Sequence, residues 1–119
     1  MSYILDTART PIGVKNGNMI GLRPDDLAAE TVKAILDRNS DKCKHNIEDL
    51  VVGCAFPEGP QGMLIGRSVS ILSGLPVEVP GKVVNRFCGS SMDAVHQVSQ
   101  AIESNDMDLG LACGVEDMF

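Results

Sequence analysis

The chain has 119 residues, a hydrophobic content of 44%, a charged content of 22% and a formal net charge of −6. This length is enough for one compact core but not for two full domains, and no apolar run approaches the roughly 20 residues that a membrane-spanning helix needs. The net negative charge argues against nucleic acid or an acidic membrane surface as a partner.

Strand and helix signals alternate in the first half of the chain. Residues 3–6 read as a first strand, and the glycine-rich residues 13–21 read as a surface loop. Pro24 and the two acidic residues after it open a helix that runs to about Arg38, with apolar side chains recurring at helical spacing. The apolar run 50–55 predicts a buried parallel strand.

The same alternation continues in the second half. A helix is expected over residues 63–73, where Gly74 and Pro76 mark its end, and a strand over residues 83–87. A third helix covers residues 89–104 and a last strand residues 109–113. The pattern β-α-β-α-β-α-β predicts an α/β fold with a mostly parallel sheet and helices on both faces.

Cys88 lies where the strand 83–87 runs directly into the third helix. The first N–H groups of a helix have no intrahelical partner, so an anion at this end is stabilised by hydrogen bonds and by the helix dipole. The same groups could hold the oxyanion of a thioester under attack. Gly89 allows close backbone approach to a ligand. Cys88 is therefore predicted to be a nucleophile.

The other cysteines have simpler interpretations. The four residues, at positions 43, 54, 88 and 113, match neither a zinc site nor a disulfide framework and are read as reduced thiols. Cys54 and Cys113 lie in apolar runs and are expected to be buried, whereas Cys43 is predicted to be in a loop.

No general base for Cys88 can be found. His96 lies eight residues further along the helix, or about 12 Å at 1.5 Å per residue, and is assigned to packing or to the surface. His45 is predicted to lie in a polar loop and to be solvated. Asp93 is interpreted as structural.

The segment VNRFCGSSMDAVH at residues 84–96 resembles the nucleophile block of the thiolase family. TARTPIG at residues 7–13 and CGVEDM at residues 113–118 support the resemblance, and GCAFPEG at residues 53–59 with QGM at 61–63 is similar to the degradative branch. Two positions depart from the family: Cys113 stands where glycine is usual, and Asp117 where His, Asn or Ser is more usual. Neither position is the nucleophile.

The resemblance implies a thiolase-like half-fold over residues 1–119, an incomplete N-terminal domain. The family's Asn-Glu, Gly-His-Pro and Cys-x-Gly motifs do not occur in the chain, and its CoA-binding loop region and C-terminal half are absent. It also implies that Met118 lies near the acyl and pantetheine pocket, and that Asn85 and Arg86 hold the turn before Cys88 and the dimer-facing strand. A solvated surface charge is the alternative for Arg86.

By resemblance, the activity is that of an acetyl-CoA C-acyltransferase, which cleaves 3-ketoacyl-CoA with CoA in fatty-acid β-oxidation through a Cys88 acyl-enzyme. Acyl-CoA and CoA are substrates, and no metal or redox cofactor is implied. Biosynthetic condensation of two acetyl-CoA molecules is the related alternative. A ketoacyl carrier-protein synthase is a weaker one, because that group usually has a Thr-Ala-Cys-like turn.

A second hypothesis is a non-catalytic fragment or assembly module that keeps the half-fold and its dimer surface. The missing motifs favour it for this chain alone, and the chain alone is expected to be inactive. The third helix is apolar over a wide arc, so it is expected to be covered by another half-molecule or subunit, in a homo-oligomer. With no secretory signal visible at the N-terminus, a cytoplasmic location is expected.

Overall fold

The computed structural model describes residues 1–39 and 41–118 as an α/β structure. Its strands are β1 (Asp49–Gly53), β2 (Gly81–Val84) and β3 (Gly110–Gly114). Its helices are α1 (Pro24–Arg38), α2 (Asp41–Asn46), α3 (Ile65–Leu72) and α4 (Ser90–Glu103), with a short 3₁₀ turn at Gly59–Gln61. The predicted fold class is confirmed.

The three strands form one parallel sheet in the order β2-β1-β3. Leu50 of the central strand pairs with Gly81 on one side and Leu111 on the other. Because both neighbours run in the same direction, the carboxyl ends of all three strands meet at one edge of the sheet. β1 is buried on both faces, which explains its continuous apolar sequence.

Helices cover both faces of the sheet, as predicted. On one face, α1 and α3 pack over Leu50, Val52 and Cys54. On the other face, α4 is the one described helix that packs over Val51, with Ala94 and Val98 as its inward residues. The core is therefore thick under α1 and α3 and thin under α4.

The ends of α1 agree with the sequence signals. Pro24 occupies the first turn, where no intrahelical N–H bond is lost, and Asp25 and Asp26 follow it. Arg23 donates two hydrogen bonds to the Asp25 carboxylate, at 2.7 and 3.1 Å, and chiefly this contact lowers the pKa of Asp25. The helix ends at Arg38, whose guanidinium donates to Asp6 at 2.7 Å.

The prediction of a strand over residues 3–6 is wrong, because these residues form no strand. Tyr3, Ile4 and Leu5 are exposed, and no strand among the described residues pairs with them. Polar contacts hold this segment instead: Ser2 bonds to Ser99 and Glu103 of α4. A strand requires a neighbouring edge, and a local sequence pattern cannot supply one.

Two other expectations differ from the structure. β2 ends at Val84, so residues 85–87 lie in a turn and not in a strand. The prediction extended the strand to Phe87 because that residue is apolar. Its φ of 46° is outside the β region, so it cannot continue the strand. Cys43, predicted to be in a loop, lies in the short helix α2.

The first turn of α4 lies directly against the carboxyl ends of β1 and β3. A Cβ at Gly53 would overlap the backbone of Ser90, and a Cβ at Gly114 would lie 2.5 Å from the Cβ of Ser91. Only glycine at these two positions lets the helix approach so closely. The position of Cys88, two residues before α4 begins, depends on this approach.

We predict that Gly114→Ala lowers the free energy of unfolding by about 1–3 kcal/mol, because the new methyl group overpacks the contact with Ser91. In a Ser91→Gly background, the same substitution should cost less than about 0.5 kcal/mol, since the obstructing side chain is gone. Urea denaturation of the four variants of this cycle measures both values. Equal costs in the two backgrounds would show that α4 does not rest on Gly114.

Candidate active site

The candidate site lies at the carboxyl edge of the sheet, where polar or reactive residues follow each strand. Cys54 follows β1, Asn85 follows β2, and Glu116 follows β3 by two residues. Cys88 stands at this edge just before α4. Ligands of open parallel α/β sheets bind at this edge, outside the carboxyl ends of the strands.

A strained turn presents Cys88. Phe87 has a left-handed backbone with φ of 46°, which costs a residue with a side chain about 1–2 kcal/mol. Three hydrogen bonds hold it: Phe87 N donates to Asn85 Oδ1 at 2.9 Å, Arg86 N donates to Ser90 Oγ at 2.9 Å, and Ser90 Oγ donates to the Phe87 carbonyl at 2.6 Å. Asn85 and Ser90 therefore both stabilise the turn.

Cys88 is exposed at the N-terminus of α4. The N-cap residue, Gly89, makes no side-chain bond to this end of the helix, and the first helical N–H, that of Ser90, donates to the Phe87 carbonyl at 3.0 Å. Asp93 lies in the first turn and pairs with Arg86, with 3.3 Å between Nη1 and Oδ1. The pair places opposite charges beside the turn. Arg86 is therefore ion-paired with Asp93.

The other cysteines are less accessible than Cys88. Cys54 is fully buried, and its pKa is raised first by burial and then by the nearby Glu116 carboxylate. Cys113 is partly buried and packs against the apolar cluster under α1, and burial raises its pKa to about 11. Of Cys54, Cys88 and Cys113, Cys88 is the most exposed.

Both histidines are exposed. His96 lies on α4, one turn after Met92, and His45 lies in α2 and not in a loop. The structure brings neither of them into a described contact with Cys88.

Met118 lies at a different place from Cys88. It is 68% exposed and lines a groove of about 490 Å³ between residues 8–13, α1 and residues 111–118. Among the described residues, those that line this groove do not include Cys88. The structure therefore does not bring the two predicted site residues into one cavity.

Glu116 and Gln61 were not singled out by sequence reasoning. Gln61 is only 3% exposed, and its side chain donates to the Phe56 carbonyl at 2.8 Å and accepts from Asp117 N at 2.8 Å. The Glu116 carboxylate accepts from Ala55 N at 2.7 Å. The one available signal was position: Glu116 closely follows a strand that ends at the same edge as β1.

The described residues contain neither a metal-binding cluster nor a helix that could span a membrane. Over residues 1–39 and 41–118, no group of three or more His, Cys, Asp or Glu side chains is arranged to hold a metal ion. None of the helices in these ranges has the length and apolar character needed to span a membrane.

Comparison with known proteins identifies relatives over nearly the whole chain. The chain is 41% identical over 117 residues to a beta-ketoadipyl-CoA thiolase of Acinetobacter baylyi, which covers 98% of this chain and 29% of that protein. It is 42% identical over 116 residues to a protein of the same name from Pseudomonas knackmussii, covering 98% of this chain and 29% of that protein.

A 3-ketoacyl-CoA thiolase of Aliivibrio salmonicida is 43% identical over 116 residues, covering 97% of this chain and 30% of that protein. The chain thus spans less than a third of the length of these relatives. The family model of the thiolase N-terminal domain matches residues 2–119. The chain, with its exposed cysteine at the start of α4, belongs to the thiolase family.

Proposed function

We propose that Cys88 is the nucleophile of a thiolase-type acyl transfer and that the complete protein cleaves 3-ketoacyl-CoA with CoA. The observation that carries this proposal is the exposed Cys88 thiol on a strained turn, beside the N-terminus of α4 and at the carboxyl edge of the sheet. Membership of the thiolase family supports it.

In the proposed reaction, the Cys88 thiolate attacks the 3-keto carbon of the substrate. The bond between C2 and C3 then breaks, and its electron pair leaves as the enolate of acetyl-CoA, which takes a proton from a general acid. The acyl group stays on the Cys88 sulfur as a thioester. The thiol of a second CoA, after losing its proton to a base, attacks this thioester and releases a shortened acyl-CoA. The reaction consumes no metal or redox cofactor.

The names of the relatives support the substrate class. They act, by name, on beta-ketoadipyl-CoA and on 3-ketoacyl-CoA, so a 3-ketoacyl thioester of CoA is the proposed substrate. Fatty-acid β-oxidation is one setting for such a substrate and degradation of a dicarboxylic 3-ketoacyl-CoA is another. Biosynthetic condensation of two acetyl-CoA molecules is the reverse chemistry on the same cysteine. Met118 is proposed to contact the acyl or pantetheine part.

The cysteine assignment predicts an order of alkylation in the folded chain. At pH 8, iodoacetamide should modify Cys88 ahead of Cys54 and Cys113, because Cys88 is exposed whereas burial raises the pKa of the other two thiols. Labelling of Cys113 should rise only as the pH approaches about 11, since a raised pKa keeps the thiol protonated below that value.

Mass-spectrometric mapping after brief labelling across the pH range tests this order. A Cys88→Ser variant provides the control, because it should leave the labelling of Cys54 and Cys113 unchanged. Modification of Cys54 or Cys113 before Cys88 would contradict the assignment of Cys88 to an exposed turn.

The chain alone is proposed not to turn over substrate. A positioned acid or base contributes about 10²- to 10⁴-fold to the rate, and no described residue is placed as a base for Cys88. Acetoacetyl-CoA with CoA should therefore show no thiolysis with this chain, and adding a chain with the remaining family motifs should restore it.

Thiolysis is followed as the loss of acetoacetyl-CoA, and Cys88→Ser in the completed pair is the control that should remain inactive. Strong activity of the unaccompanied chain that depends on Cys88 would reveal a base within residues 1–119. A completed pair whose activity survives Cys88→Ser would overturn the nucleophile role. The non-catalytic module hypothesis applies only to the chain by itself.

The exposed apolar residues around the site support a further proposal, that another half-molecule or subunit covers them. Phe87, Met92 and Val95 are exposed around the first turns of α4, and the inward face of that helix is already packed on the sheet. A cytoplasmic homo-oligomer is the proposed state of the complete protein.

Multi-angle light scattering across a dilution series tests the coverage proposal. The chain should associate, or bind a hydrophobic dye, because a monomer leaves these side chains in water. Substituting Met92 and Val95 by Gln should reduce the association. A monodisperse monomer that folds cooperatively and binds no dye would contradict the proposal.

A further inference from the structure

We infer that Glu116 is a positioning residue for Cys88 and that it acts through a chain of hydrogen bonds formed by Ala55, Asn85 and Phe87. This inference rests on the proposed role of Cys88 in acyl transfer. It assigns to Glu116 a part in the site that its distance along the sequence, 28 positions after Cys88, does not indicate.

The first step is the contact between Glu116 and the turn after β1. Its Oε2 accepts a hydrogen bond from Ala55 N at 2.7 Å, and its Oε1 accepts from Phe56 N at 3.1 Å. Hydrogen bonds between N–H groups and an ionised carboxylate are stronger than bonds between neutral groups. Glu116 thus fixes two consecutive peptide units at the carboxyl end of β1.

Gln61 holds the carboxylate in this orientation. Its Nε2 donates to Glu116 Oε1 at 3.1 Å, and its Oε1 accepts from the backbone of the next residue, Asp117, at 2.8 Å. The same Nε2 donates to the Phe56 carbonyl at 2.8 Å. Because Gln61 is buried, the segments around residues 55 and 116 are tied together within the protein and not through solvent.

The second step leads from Ala55 to the turn that carries Cys88. The carbonyl of Ala55 accepts a hydrogen bond from Asn85 Nδ2 at 2.9 Å. The other end of the same amide, Asn85 Oδ1, accepts from Phe87 N at 2.9 Å. Asn85 therefore uses both ends of its side chain, and one end reaches the residue immediately before Cys88.

The third step is the backbone of Phe87, whose left-handed φ of 46° persists only where surrounding contacts hold it. The ring of Phe87 also contacts that of Phe56, with 6.2 Å between the ring centroids. Phe87 is therefore linked to Ala55 through Asn85 and to Phe56 through the ring contact. Glu116 fixes the backbone of both of these residues. If the turn relaxed to a negative φ, the Cys88 side chain would leave its place before α4.

A cycle of two substitutions tests this coupling in the intact chain. Glu116→Gln removes the carboxylate that accepts from Ala55 and Phe56. Asn85→Asp keeps an oxygen acceptor for Phe87 N but loses the donor to Ala55, so it breaks the chain between them. Glu103→Gln is the matched control. Glu103 lies at the other end of α4, and its carboxylate also accepts a hydrogen bond from a backbone N–H, that of Ser2, at 2.7 Å.

Amide hydrogen exchange measured by NMR reports on Phe87 directly. Glu116→Gln should reduce the protection of the Phe87 amide about tenfold, the effect expected from the loss of one hydrogen-bonded link. In the Asn85→Asp background, the same substitution should change it less than about twofold. With Glu116→Gln, the backbone chemical shifts of Phe87 should move away from the values of a left-handed residue. Glu103→Gln should change neither the Phe87 protection nor its chemical shifts.

Protection of the Val51 and Val52 amides in β1 shows whether each variant remains folded. If Glu116→Gln unfolds the chain, Glu116→Asp replaces it; the shorter carboxylate should lower Phe87 protection in the wild-type background only. An unchanged Phe87 in a folded variant, or an equal loss in both backgrounds, would overturn the positioning role. Failure of the proposed function appears separately, as Cys88-independent thiolysis by the completed pair, and leaves the exchange results intact.

Discussion

The close approach of α4 to the carboxyl ends of β1 and β3 is the constraint on which the rest of this structure depends. Gly53 and Gly114 have no side chains, so the first residues of α4 rest on strand backbone. This contact brings the helix N-terminus to the edge where the strands end, and Cys88 with it. A larger residue at either glycine would displace the helix and Cys88 together.

The turn before Cys88 shows how a strained backbone is kept in place. Phe87 takes a left-handed conformation that a side chain disfavours, and Asn85 and Ser90 bind its amide and carbonyl groups. Because Asn85 also bonds to Ala55, the turn is linked to the neighbouring strand end and, through it, to Glu116. The turn that carries Cys88 is thus held by all three strand ends and not by β2 alone.

Three of the four cysteines differ in exposure because their surroundings differ. Cys54 and Cys113 lie against the core on the α1 and α3 face, and burial raises the pKa of both thiols, so they behave as small apolar residues. Cys88 lies outside both apolar clusters and is exposed. The proposed selectivity for Cys88 therefore rests on burial of Cys54 and Cys113 as well as on the exposure of Cys88 itself.

By itself, the sequence determined the α/β class, the bounds of α1 and the place of Cys88 between a strand and a helix, because apolar periodicity, proline and glycine signals act over a few residues. The tertiary structure decided the rest. Residues 3–6 are not a strand since no edge pairs with them, Phe87 is left-handed because side chains from outside the strand hold it, and Glu116 reaches Ala55 across 61 positions of sequence. Such contacts join residues that only folding brings together, so no local pattern could predict them.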